Sequence, residues 1–440
     1  MADTDDDGPI WRNWAREQSC RPTVIRRPRT REGLVREILA ARERDDRLKV
    51  AGSGHSFTGA ALTGGTMLRI EALDRVLGFD PATGRVKVEA GAVLGDLSRE
   101  LDRLGVAFAN LGDIDHQTLA GSISTATHGT GERFRNVSAQ VAGIELITAD
   151  GATHHLSAEA DRESFDAARV GVGALGVIYA VTLETVPAYR ISRVDRALPL
   201  SEVIGDLDRR VAAHDHFEFY VFPHTGKAVC RESTRTDEPA RPPHPAKSFA
   251  REVVLENWVG AGAVALARAL PSAIPKLGEL AVAGVDSERK LDKSYEVFAS
   301  DRRIRFTEME YAVPRERAVE AIERAVEIAE KASHRVAFPI EVRFVAADDA
   351  YLSPSYQRDA CYIAVHQDRK LDWPSYFAEV EAVFEALDGR PHWGKRHTLT
   401  RAQLAERYPR WEEFQSVRRR LDPDGAFSND YTDTVLGPVG

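Results

Sequence analysis

The sequence predicts an α+β protein of two units, on three observations. The chain has 440 residues, more than one core usually holds, since single cores stop growing near ~250–300 residues. Hydrophobic residues make up 43% and charged residues 29%, the balance of a protein that buries large cores. The pattern also changes near Tyr189: short strands and glycine loops precede it, and strands alternating with long helical stretches follow. The units read as 10–188 and 189–388, with a tail at 389–440 that returns to the first.

In chain order, Thr30 offers an N-cap for a helix to about Arg44, and Arg47 to Ala51 is a short strand entering Gly52-Ser53-Gly54. Between Leu68 and Ala90, apolar runs are separated by turn signals at Asp80-Pro81 and Thr83-Gly84. Leu94 to Leu104 has helical spacing, and Val141 to Thr148 meets the Asp150-Gly151 turn of a hairpin. Ser164 to Arg169 reads as helix and Val177 to Val186 as strand. In the second unit Phe217 to Phe222, Ile304 to Val313 and Pro339 to Phe344 are strands, and Pro314 to Ala332 is helical. Val259 to Leu270 is apolar but too short to span a bilayer, and Arg268 and Pro271 interrupt it. It reads as a buried helix, with a membrane-surface patch as the alternative. The tail places Trp, His, Lys, Asn and Tyr in loops around an amphipathic segment, Leu404 to Arg420.

The net charge of -9 disfavours a nucleic-acid partner, which needs clustered excess Lys and Arg. Three cysteines, Cys20, Cys230 and Cys361, are too few and too scattered for a disulfide scaffold or a metal-ligand pattern. The acidic start, Met1 to Gly8, lacks the basic head and apolar stretch of a signal peptide. A cytoplasmic protein fits, without an integral membrane segment, and peripheral membrane association is compatible with it.

Two glycine motifs lead in opposite directions. Gly171-Val-Gly173-Ala-Leu-Gly176 matches the dinucleotide fingerprint as a string, but that fingerprint works between a strand and the helix whose N-terminus faces the pyrophosphate. Here a helix precedes and a strand follows, so a nicotinamide Rossmann fold is not supported. The loop Val50 to Gly59 differs, because Gly52 and Gly54 allow close backbone approach to a ligand while Ser53, His55 and Ser56 present hydroxyls and imidazole. A glycine-rich turn with a surface histidine would explain that loop alone. A second loop, Gly112 to Gly131, adds Gly121, Ser122, Ser124, Thr125, Thr127, His128 and Gly129. Such density suits a long anionic cofactor, whereas a Ser/Thr-rich strand explains the composition but not the glycines.

These two loops resemble those of the FAD-linked oxidases of the vanillyl-alcohol oxidase type, and within them the aldonolactone oxidoreductases. The likeness runs from Trp11-Arg-Asn-Trp14 to Asn429-Asp-Tyr431 and is nearest the bacterial L-gulono-1,4-lactone branch. It implies an α+β fold with a two-part FAD-binding domain of the vanillyl-alcohol oxidase type and an inserted α+β substrate domain. It further implies FAD covalently attached to His55, with cofactor contacts from the residues of both loops, from Gly112 and Asp113, from Gly176, Val177 and Ile178, and from Lys395, Asn429 and Tyr431. Gly112 aligns with the position that gates oxygen in this family. Asp113 replaces a serine of relatives that act on plant lactones or alditols, which leaves that serine's role open here.

In the second unit, strand alternation aims Glu341 and Arg343 to one face. From pattern alone an exposed ion pair of little worth is the simpler reading; the resemblance instead makes them the pair that grips and polarises the substrate hydroxyls. Lys395, in His392-Trp393-Gly394-Lys395, would stabilise the negative charge of a reduced flavin, and a solvated lysine is the ordinary alternative. His366 and Glu310 are further candidates for substrate contact. The expected reaction is hydride transfer from a sugar-lactone C–H to flavin while its hydroxyl loses a proton, with electrons passed on to O2 or to a redox-protein or quinone acceptor. The proton acceptor stays open, since pairing with Arg343 would weaken Glu341 as a base. Two rivals remain: an alditol oxidase with the same residues, and a non-catalytic binding protein on a flavin fold.

Overall fold

The computed structural model describes residues 9–242, 260–285, 287–299 and 304–439. The acidic start and Val259 lie outside them. Near the N-terminus, β1 (Val24–Arg26) and β2 (Leu48–Val50) lie parallel on either side of β3 (Thr66–Leu68). Helix α1 (Arg31–Glu43) makes the crossover that parallel strands require. Thr30 caps it, accepting from the Gly33 amide at 3.0 Å, and Leu34, Ile38 and Ala41 form its buried stripe.

A second sheet joins β4 (Val76–Asp80), β5 (Arg85–Glu89), β6 (Val141–Ile147), β7 (Thr153–Ser157) and β8 (Val177–Glu184) in the order β7-β6-β8-β5-β4, with every pair antiparallel. The predicted hairpin is β6–β7, turning at Gly151 with φ +79. Helices α2 (Leu94–Arg103) and α3 (Leu119–Ser124) lie between β5 and β6, and α4 (Arg162–Ala168) lies between β7 and β8. The Ser/Thr-rich stretch is therefore helical where it begins, because Thr118 caps it and accepts from the Gly121 amide at 3.3 Å. Gly171 to Gly176 does run from a helix into a strand, the reverse of a Rossmann turn.

Between Arg190 and Pro391 the chain builds an antiparallel sheet of eight strands, the last of them from the stretch expected in the returning tail: β9 (Arg190–Pro199), β10 (His216–Phe222), β11 (Lys227–Thr236), β12 (Lys290–Lys293), β13 (Thr307–Pro314), β14 (Ile340–Val345), β15 (Ala360–Gln367) and β16 (Arg390–Pro391). Their order is β12-β9-β11-β10-β14-β15-β13-β16. Period-two alternation splits this sheet. Phe217, Phe219, Met309, Tyr311, Ile340, Val342, Phe344, Ile363 and Val365 join the apolar core, with residues of the helices Ala318–Ala329 and Trp373–Ala386. Glu218, Tyr220, Glu308, Glu310, Glu341, Arg343 and His366 alternate with them and are buried too, so a charged face is enclosed rather than left in solvent.

Among the helices that accompany this sheet are α5 (Gly260–Ala269), α6 (Ile274–Ala283), α7 (Ala318–Ala329) and α8 (Trp373–Ala386). The buried-helix expectation for Val259 to Leu270 fails. Helix α5 forms, but Leu266 and Leu270 are 46% and 52% exposed, and Leu280 on α6 is 62% exposed. Its Gly/Ala-rich sequence gives no wide apolar stripe to seat on the sheet. Among the described residues no helix is long and apolar enough to cross a membrane.

The tail forms α9 (Arg401–Arg407), α10 (Trp411–Leu421) and α11 (Asp430–Val435). Leu404 to Arg420 is thus two helices rather than one segment, since Pro409 cannot continue the first. Tyr431 lies in α11 rather than in a loop. The tail packs back on the N-terminal strands: Lys49 Nζ donates to the carbonyls of Phe427 and Gly173, both at 3.0 Å, and Asn429 Nδ2 donates to those of Gly59 and Leu62, both at 2.8 Å.

Two buried imidazoles set an expected acid lability. Burial lowers His397 to about 4, and burial lowers His216 to about 4 against the bond to the Thr130 carbonyl that favours its charged form. Both rings are neutral when folded and protonate near pH 6.5 when unfolded, so their stability is present above that pH and is lost as pH falls toward 4. Each contributes up to about 1.4 kcal/mol per pH unit across this window. The melting temperature is expected to drop between pH 7 and pH 5; a flat profile there would contradict this assignment.

Candidate active site

The first glycine loop and α3 face each other across a cleft. Gly52 lets them meet, because a Cβ there would fall 2.2 Å from Thr118 Oγ1. Gly54 has φ +75, and a Cβ there would stand 3.1 Å from the Trp11 indole. Of the predicted contacts, Gly52, Ser53, Gly54, His55, Ser56, Gly121, Ser124, Thr125, Gly176 and Ile178 line the cleft. Gly173, from the glycine-rich stretch Gly171 to Gly176, lines it as well, and so do Trp11, Lys49, Gln117 and Thr118, which were not anticipated as contacts.

Other predicted contacts stand behind this wall. Ser122 is fully buried and donates to the Leu119 carbonyl at 2.9 Å. Thr127 and Val177 are buried in the loop and in β8. His128 faces the Gly129 carbonyl at 2.9 Å and Glu310 Oε1 at 3.0 Å. Gly129 packs against Leu111, whose carbonyl would lie 2.2 Å from a Cβ. At Gly112 a Cβ would stand 3.0 Å from the His128 carbonyl oxygen, a tight contact. Asn429 clasps the 59–62 loop, and the Tyr431 hydroxyl reaches the Trp393 carbonyl at 3.3 Å.

At one end of the cleft the two halves of the prediction converge. His55 stacks on Trp14 at 5.5 Å. Burial, then His116 and Lys395, lower its imidazole to about 4, which leaves it neutral and nucleophilic at neutral pH. The Phe57 amide donates to the Gly394 carbonyl at 2.7 Å, and Lys395 follows. Its Nζ pairs with Glu308 at 2.5 Å, and although burial disfavours the ammonium, Glu308 and Glu310 hold it protonated. Glu308, pushed up by burial but drawn down by Lys395 and His366, lies at about 2.

Glu341 and Arg343 are buried, not surface residues, and Arg343 Nη2 meets Glu341 Oε1 at 2.5 Å. Arg343 Nε donates to Glu218 at 2.7 Å, and its Nη2 lies 3.4 Å from Asp113. Asp113, expected at the cofactor, thus faces Arg343 and is not among the residues that line the cleft. Side-chain donor and acceptor atoms of Glu308, Glu341 and His366 all lie within 4.8 Å of one another, and Lys395 and Arg343 balance the two carboxylates. His366 Nδ1 is 3.1 Å from the Pro339 carbonyl. Glu310, bonded to His128, stands one step further along β13.

Comparison with known proteins identifies the family. A model of the D-arabinono-1,4-lactone oxidase family matches residues 181–435, and one of an FAD-binding domain matches residues 22–157. The chain belongs to the D-arabinono-1,4-lactone oxidase family. The L-gulono-1,4-lactone dehydrogenase of Mycobacterium tuberculosis is 46% identical over 98% of this chain and 100% of its own length. The L-gulonolactone oxidase of Scyliorhinus torazame is 33% identical over 98% of each. A crystal structure of cholesterol oxidase from B. sterolicum, 17% identical, superposes with a TM-score of 0.81 over 97% of this chain and 96% of that one, which shows the vanillyl-alcohol-oxidase-type fold.

Membership makes this a flavin-dependent oxidoreductase, and the cleft fits FAD on its own chemistry. It offers glycine backbone, the hydroxyls of Ser53, Ser56, Ser124 and Thr125, and Gln117. Gln117 Oε1 is buried without a hydrogen-bond partner among the described residues and can accept from a cofactor N–H or O–H.

Proposed function

We propose that the protein oxidises a ring hydroxyl of a sugar 1,4-lactone of the L-gulono or D-arabinono type, with FAD bonded to His55. The observation that carries this reading is the buried Glu341–Arg343 pair facing the Glu308–Lys395 pair at the His55 end of the cleft. Bound FAD would supply the hydride acceptor. Arg343 would donate to the lactone's oxygens, and Glu341 would accept the proton of the hydroxyl being oxidised. Lys395, fixed by Glu308, would put a cation at that end of the cleft, and enclosure by the sheet would exclude water. Electrons then pass to O2 or to a redox-protein or quinone acceptor. Free Cys20, Cys230 and Cys361 support a cytoplasmic setting. The alditol alternative is not favoured, because the matching model is that of the lactone oxidases.

The test begins with acid precipitation of the purified holoenzyme. Flavin absorbance is expected to stay with the pellet, and to move to the supernatant in His55→Ala. Free flavin from the wild type would remove the covalent bond from this reading. Bleaching of the flavin by lactone but not by xylitol would support the substrate class.

A further inference from the structure

The Tyr220 hydroxyl has one proton and three neighbours: Glu341 Oε1 at 2.8 Å, Arg231 Nη1 at 3.0 Å and Glu218 Oε1 at 3.3 Å. A guanidinium only donates, so Arg231 occupies an oxygen lone pair, and it also lies over the Tyr220 ring at 4.7 Å. Glu218 already receives Arg343 Nε at 2.7 Å and Arg231 Nη1 at 3.1 Å. The phenolic proton therefore goes to Glu341, by the shorter contact.

We propose that Tyr220 is a positioning residue for Glu341 in lactone oxidation, with Arg231 fixing the direction of its hydroxyl. This rests on the reading of Glu341 as the proton acceptor. Tyr220 and Glu341 are register partners on β10 and β14, so the phenol approaches from the neighbouring strand while Arg343 approaches from Glu341's own. Both donate to Oε1, which fixes the plane of the carboxylate and keeps it an acceptor. From the other side, β15 and β13 bring His366 and Glu308, and Glu308 in turn carries Lys395. Asp113 and Glu218 act on Glu341 through Arg343. Packing and the stack under Arg231 need only the ring; the hydroxyl is the part that reaches Glu341.

Tyr220→Phe keeps the ring and removes the proton. Stopped-flow reduction of the holoenzyme by L-gulono-1,4-lactone from pH 5 to 9 gives the limiting rate, the lactone Kd and the pH profile, and thermal melting reports the fold. The limiting rate is expected to fall roughly 10- to 100-fold, as for loss of a bond to a charged group. The Kd is expected to change far less. The acid limb should move up by about one pH unit, because a carboxylate stripped of a donor holds its proton more readily. The melting temperature should stay in place. Arg231→Lys, which keeps the charge beside Glu218 but loses the planar fork, should shift the acid limb in the same direction and by less.

An unmoved acid limb in both variants overturns the proposal, whether the rate is unchanged or falls together with the melting temperature; the latter pattern makes Tyr220 a packing residue. Glu341→Gln measured alongside separates the two layers. If it reduces at the wild-type rate, the reading of the site itself fails. If it is slow while Tyr220→Phe keeps the wild-type profile, only the positioning role fails.

Discussion

Glu341→Gln is expected to slow reduction of the bound flavin by lactone by about 10²- to 10⁴-fold, the usual worth of a general acid–base group, with FAD still bound. The amide has nearly the shape of the carboxylate, and its oxygen can still accept from Tyr220 and Arg343. What it lacks is the capacity to take the proton of the hydroxyl being oxidised. Arg343 keeps Glu218 at 2.7 Å and Asp113 at 3.4 Å, so its charge is not stranded and the fold should survive. Single-turnover stopped flow isolates this step from reoxidation. Reduction at the wild-type rate would take Glu341 out of the chemistry.

Arg343→Met is expected to be costly in stability as well as in rate. One guanidinium serves Glu218, Glu341 and Asp113, all largely buried. Removing one partner of such a cluster typically costs about 3–5 kcal/mol, because charges remain in a poor solvent. Arg343→Lys restores a charge but not the fork, since a single ammonium cannot copy both the Nε contact to Glu218 and the Nη2 contact to Glu341. It should recover part of the urea midpoint and little of the reduction rate. A Met variant as stable as the wild type would show that these carboxylates do not depend on Arg343.

The sequence allowed much of this site to be read, and the reasons are local ones. Alternation along Pro339 to Phe344 put Glu341 and Arg343 on one face because a strand has period two whatever surrounds it. Their burial was not legible, since it depends on the loop at Asp113 and on strands more than a hundred residues away: Glu218 lies 125 residues from Arg343, and Tyr220 lies 121 from Glu341. Glu218, Tyr220, Arg231 and Glu308 look like the solvent faces of ordinary strands, and only cross-strand register reveals them as partners. Thr118 carried a usable signal, a hydroxyl placed to cap the helix that begins at Leu119. Helix α5 was misread because a Gly/Ala-rich apolar run announces hydrophobicity without saying which side will be covered.

The clasp between the two ends of the chain has a consequence for biosynthesis. Lys49, which lines the cleft, holds a carbonyl 378 residues later, and Asn429 grips a loop 370 residues earlier. A chain emerging from the ribosome carries its glycine loops long before it carries the residues that clamp them. Its N-terminal strands must therefore wait, with apolar surface uncovered, until the tail is released. Cofactor loading then becomes an event that follows translation, and a nonsense change between Lys395 and Phe427 would yield a chain with Glu341, Arg343 and Lys395 in place and no finished seat for its flavin.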